Sequence, residues 1–134
     1  MSLEKEIRIP SSLQHIHIIE SFLEQLRWDF NIDDCQYGNI HLAVVEAVTN
    51  AILHGNKGDA KKEITFFWQR VNGNIRFCIK DQGKGFDLNK IPDPTLPENK
   101  EKPNGRGVFL IRNLADDVHF KDNGATLEMT FYLD

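Results

Sequence analysis

Glu46-Ala47-Val48-Thr49-Asn50-Ala51-Ile52-Leu53-His54-Gly55 closes a helical pattern that begins at Asp33-Asp34. Ile40, Val44, Val45, Ala47, Val48, Ala51 and Ile52 recur at helical spacing and mark the apolar side. The two aspartates suit the start, by capping and by placing negative charge at a helix N-terminus. Gly55 at the far end suits a left-handed stop. Glu46, Asn50 and His54 recur every fourth residue and so share one stripe. A carboxylate there can take a proton from an attacking hydroxyl or water. An amide oxygen one turn on is a hard ligand suited to Mg²⁺. The plain alternative is the solvated side of an amphipathic helix, and this stretch alone does not separate the two.

Working outward, Glu4 to Ile9 alternates polar and apolar residues until Pro10, which predicts a short strand, at an edge of a sheet. Ser11 or Ser12 is placed to cap a helix in which Leu13, Ile16, Ile19, Leu23 and Leu26 form the buried face, ending near Trp28. Beyond Gly55, Ile64 to Val71 and Ile75 to Lys80 read as strands joined by Asn72-Gly73, a tight-hairpin signal. The stretch from Asp87 to Asn104 carries four prolines and no periodicity, which predicts a long functional loop. Gly105 to Leu114 reads as a helix after its glycines. Val118-His119-Phe120 and Thr126 to Leu133 read as a closing hairpin around Asn123-Gly124. The order β-α-α-β-β-loop-α-β-β predicts one α+β domain over residues 1–134, a two-layer sandwich with a mixed, mostly antiparallel sheet and its helices on one face.

Two glycine segments follow the first motif. In Asp81-Gln82-Gly83-Lys84-Gly85-Phe86, at a strand exit, Asp81 can accept a hydrogen bond from an exocyclic amine such as that of adenine. The glycines would let the backbone turn sharply and come close to a flat ring. In Gly105-Arg106-Gly107-Val108-Phe109-Leu110-Ile111, glycines ahead of a helix would expose free N–H groups at its positive end, a phosphate cradle to which Arg106 adds a bidentate grip. Read separately, the first is an ordinary polar turn and the second a loop end with a solvated arginine. The second fits neither a Rossmann nor a Walker-type loop, because it does not follow a strand directly and has no Walker lysine.

Composition narrows the classes. The chain has 134 residues, 40% hydrophobic and 27% charged, and a net charge of −4. That charge argues against duplex DNA as a direct partner. No apolar run is long enough to span a bilayer, and the polar N-terminus lacks signal-peptide character, so the expected location is the cytoplasm. Cys35 and Cys78 stand alone, without metal-like spacing, and Cys78 reads as a small buried hydrophobe. Trp28 and Trp68 read as core or interface residues, and His15 and His17 as solvent-facing.

Taken in order, E-x-x-x-N-A-x-x-H-G, D-x-G-x-G-F and G-x-G-x-x-L-I resemble the histidine-kinase-like ATPase superfamily, over about Ile7 to Phe131. Asp93-Pro94-Thr95-Leu96-Pro97-Glu98-Asn99 and Lys102-Pro103-Asn104 before the last glycines resemble the ATP lid of bacterial anti-sigma-factor serine kinases. That resemblance implies ATP and Mg²⁺ as cofactors, Glu46 as general base and Asn50 as the metal ligand. It implies adenine on Asp81 with Gly83, Gly85 and Phe86 around it, and phosphates wrapped by Gly105, Arg106, Gly107 and Val108 under a lid at 87–104. His54 and Gly55 match the end of the first box, and Thr126, after Gly124-Ala125, matches a threonine on the adenine side. The implied partners are a sigma factor and an anti-sigma-factor antagonist that is phosphorylated, with homodimerisation through the N-terminal strand and helix. The competing reading is a nucleotide-sensing binding module without phosphoryl transfer. A base beside the metal ligand favours the enzyme.

Overall fold

In a computed structural model, which describes residues 4–83 and 103–133, the chain forms the expected succession of elements. They are β1 (Glu4–Pro10), α1 (Ile16–Asp29), α2 (Asp34–Asn50), β2 (Glu63–Val71), β3 (Asn74–Lys80), α3 (Pro103–Leu114), β4 (Asp117–Lys121) and β5 (Thr126–Tyr132). The strands lie in the order β1-β2-β3-β5-β4. Among the described residues every neighbouring pair is antiparallel, so the sheet there is antiparallel throughout where a mixed, mostly antiparallel one was expected. β1, which ends at Pro10, is an edge strand, where a missing N–H donor is tolerated.

Register lines the inward side chains up across the strands. Ile9 faces Ile64, Phe66 faces Ile79, Trp68 faces Phe77, Phe77 faces Met129 and Ile75 faces Phe131. These residues are buried together with Ile19, Leu23 and Leu26 of α1, Ile40, Val44, Ala47 and Val48 of α2, and Ile111 of α3. Edge-to-face rings tie the layers. Phe22 of α1 meets Phe66 with centroids 6.0 Å apart, and Phe30 meets Trp68 at 5.5 Å. The alternation of β2 and β3 thus fixes which side of the sheet receives α1 and α2.

Local signals fare differently. Asn72 and Gly73 adopt φ of 50° and 85°, as a tight hairpin turn requires. The Asp33 carboxylate caps α2, its Oδ1 accepting the Gln36 N–H at 2.7 Å. Ser12 makes no side-chain cap bond; a 3₁₀ turn, Leu13–His15, leads into α1 instead. α3 starts at Pro103 rather than after its glycines, so Gly105 and Gly107 lie inside the helix. Proline is well placed at that start, because its missing N–H needs no partner there. Trp68 is in the core, whereas Trp28 is 70% exposed beneath the Arg27 guanidinium. His17 is exposed, while His15 is only half-exposed with a buried Nδ1. Both cysteines are free. Cys78 is half-buried rather than fully enclosed, and burial pushes its thiol pKa up. No helix among the described residues is long and apolar enough to cross a membrane.

Candidate functional site

α2 carries the first part of the site and does not end as an α-helix. Ala51–Gly55 form one π-helical turn, closed by the Asn56 N–H donating to the Ala51 carbonyl at 2.8 Å. Such wide turns cluster at functional positions because they re-aim the side chains that follow. Gly55 is not the left-handed stop that its position suggested. Positive φ falls instead at Lys57 (53°) and Gly58 (71°). Gly55 is required for another reason: a Cβ there would overlap the Asp81 carboxylate.

That carboxylate stands at the exit of β3 and is only 7% exposed. Its Oδ1 accepts the Gly83 N–H at 2.7 Å, and its backbone N–H donates to the Ala125 carbonyl at 2.9 Å. No described donor reaches Oδ2. Burial pushes the Asp81 pKa above the ordinary value; the Gly83 N–H and the nearby Lys62 charge offset part of that rise. A Cβ on Gly83 would in turn overlap the Gly55 carbonyl. Gly55, Asp81 and Gly83 therefore form a cradle with no room for side chains at the glycines. One buried acceptor sits at its base, an arrangement suited to a flat ring bearing an amine.

The second cluster lies further back along α2. A Cβ on Gly107 of α3 would overlap Asn50 Nδ2 and Glu46 Oε1. The glycine segment that opens α3 is thus seated against the two side chains singled out on α2, both half-buried. From Glu46 to Gly55 the helix advances roughly 13 Å along its axis, which puts the two clusters at opposite ends of one short rod. No group of three or more His, Cys, Asp or Glu able to hold a metal occurs among the described residues. A divalent cation on Asn50 would therefore draw its other ligands from phosphate oxygens and water, the usual arrangement for Mg²⁺. The amide oxygen of Asn50 beside a carboxylate fits that role.

Other expected positions divide. His54 is exposed. Val108 is buried on α3. Thr126 is 6% exposed, but its hydroxyl donates to Asp122 Oδ2 at 2.8 Å, and it is the preceding Ala125 carbonyl that touches Asp81. Gly85, Phe86, the lid up to residue 102 and the side chain of Arg106 lie outside the described residues. Gly105 is placed only as backbone inside α3. Sequence reasoning missed Asn56, which is fully buried, and Gln82, whose N–H donates to Asn56 Oδ1 at 2.7 Å. The only available signal was an Asn directly after His54-Gly55, indistinguishable from an ordinary turn residue.

A buried acceptor in a glycine cradle is joined by one helix to a carboxylate-amide pair under a glycine-bearing helix, in an α+β fold whose shape suits a nucleotide. Residues 9–131 match the histidine kinase-like ATPase domain, and the chain belongs to that family. Within it the chain is similar to the serine-protein kinases named RsbW. It is 31% identical to the serine-protein kinase RsbW of Staphylococcus aureus over 138 residues, covering 96% of this chain and 86% of that one. It is also 31% identical to the Bacillus cereus serine-protein kinase RsbW, covering 96% and 84%. The fold superposes on the RsbU and RsbW domains of Rv1364c from Mycobacterium tuberculosis with a TM-score of 0.69 at 19% identity. That match takes in 97% of this chain and 32% of the other.

Proposed function

We propose that this chain is an ATP-dependent serine/threonine protein kinase that acts as an anti-sigma factor, phosphorylating a small antagonist protein and sequestering a sigma factor. The observation that carries this reading is the seating of Gly107 against both Glu46 and Asn50, which joins the phosphate-side segment to a base and a metal ligand. The kinase names of the relatives support the same chemistry.

ATP with Mg²⁺ supplies the transferable phosphoryl group and the charge neutralisation that such transfer needs. The chain supplies position and a base. Asp81 Oδ2 accepts the adenine amine, and Gly55 and Gly83 let the ring approach. Asn50 would hold the metal, and the α3 segment with Gly105, Arg106 and Gly107 would wrap the phosphates. Glu46 orients the partner's serine or threonine hydroxyl and takes its proton as the oxygen attacks the γ-phosphorus and the bond to ADP breaks. Exposed Leu42 on α2, Leu53 in the π turn that follows it and Phe109 on α3 offer an apolar rim for that partner. The working form is a cytoplasmic homodimer joined through β1 and α1, without direct nucleic-acid contact.

The test is single-turnover transfer from radiolabelled ATP to the antagonist. Glu46→Gln should keep ATP binding and lose at least about 10²-fold in transfer. ATP binding by the wild type with no transfer to any partner would replace this reading with that of a nucleotide-sensing module.

A further inference from the structure

Asn56 makes a clamp that reaches both sides of the Asp81 cradle. It is the residue after Gly55, is 0% exposed, and spends its whole side chain on backbone groups of two other segments. Its Nδ2 donates to the Glu63 carbonyl at the start of β2 at 3.1 Å. Its Oδ1 accepts the N–H of Gln82, the residue between Asp81 and Gly83, at 2.7 Å. The Gln82 side chain completes the ring, its Oε1 accepting the Glu63 N–H at 2.7 Å. The end of the π turn, the first residue of β2 and the loop after β3 are thereby tied into one unit. On that unit Gly55 and Gly83 meet with no space left between them.

We infer that Asn56 is a positioning residue for base recognition: it holds the Asp81–Gly83 turn at the distance from Gly55 at which Asp81 Oδ2 faces an adenine amine. This inference rests on the reading of Asp81 as the adenine acceptor. Because the cradle is already at contact distance, a small outward drift of the Gln82 backbone would turn the carboxylate. Such a drift would leave the distant Glu46–Asn50 pair in place. Removing the clamp therefore acts on base discrimination rather than on nucleotide binding as a whole. A merely structural asparagine would weaken every nucleotide alike.

The experiment compares equilibrium affinities for ATP and inosine triphosphate, which lacks the amine, in wild type, Asn56→Ala and Asn56→Asp, with thermal melts to verify folding. Wild type should prefer ATP. Asn56→Ala should weaken ATP by about tenfold while inosine triphosphate changes less than about twofold, the loss expected for one misaimed hydrogen bond to a charged group. Asn56→Asp keeps the acceptor for the Gln82 N–H; buried against the Glu63 carbonyl the new carboxyl holds its proton and donates there, so this variant should retain most of the preference. Equal weakening of both nucleotides, or an unchanged ratio, overturns the positioning role while leaving the adenine reading intact. A wild type that binds the two equally overturns the adenine reading and this inference with it. Should Asn56→Ala not fold, Gln82→Ala removes the exposed side chain that closes the ring. The ATP preference should then fall, and an unchanged ratio overturns the inference.

Discussion

Replacing Gly55 by alanine adds a single methyl group at the tightest point of the site. The new Cβ would overlap the Oδ2 and Cγ atoms of Asp81. That side chain has little freedom, because it is buried and its Oδ1 holds the Gly83 N–H. Overpacking of this kind costs about 1–3 kcal/mol. Alanine returns up to about 1 kcal/mol, because Gly55 sits in a helical turn with φ outside the left-handed region. The net is a loss of roughly 1 kcal/mol, which lowers Tm by about 3–5 °C for a domain of this size. The effect on nucleotide is larger. A displaced Asp81 loses a hydrogen bond between a charged acceptor and the adenine amine, about 1.5–3 kcal/mol, or about 10- to 150-fold in affinity. Calorimetric titration with ATP, alongside thermal melts, measures both quantities. ATP affinity within about twofold of wild type would refute the reasoning, because the contact between Gly55 and Asp81 could then not be the base-binding wall.

Gly38→Ala is the counterpart in open space: nothing lies within 4 Å of its Cβ position on α2, so the variant should gain about 0.4–1 kcal/mol and melt higher, and a lower Tm would count against the helix geometry there. Glu46→Gln should bind ATP as wild type does and fail in single-turnover transfer, as set out above; transfer at the wild-type rate removes Glu46 as base. Asp81 holds its proton more tightly folded than unfolded, since burial lifts its pKa above 3.8. Its contribution to stability is therefore complete below 3.8 and is lost as pH rises through the folded-state value. Wild type should lose stability relative to Asp81→Asn across that window, measured by denaturant titration between about pH 3 and pH 7; a pH-independent difference would show no shift in Asp81.

What was legible in the sequence had local causes. Asn72-Gly73 is a turn wherever it occurs between strands, because both residues tolerate positive φ. Asp33 caps α2 through a bond three residues long. The helical spacing of Ile16, Ile19, Leu23 and Leu26 likewise marked the buried face of α1, although Leu13, counted with them, precedes the helix and is exposed. What was hidden has causes in other parts of the chain. Gly55 looked like a helix stop and proved to be the wall facing Asp81, a residue distant in sequence but adjacent in space. The π turn has no residue signature, so the expected stripe from Glu46 to His54 ends with His54 exposed. The glycines before Val108 concealed a helix that starts at Pro103, although a proline at a first turn is itself a start signal. Asn56 went unremarked because burial of a polar side chain depends on partners at Glu63 and Gln82 that no spacing rule connects.

Backbone amide shifts recorded while Mg²⁺ and ATP are added together test the site most directly. The largest changes are expected at Asn50, Gly55, Gly83 and Gly107, with little movement at the far ends of α1 and β1. Changes confined to another surface, or a spectrum that does not respond, would contradict a nucleotide bound along α2 between Asp81 and Glu46.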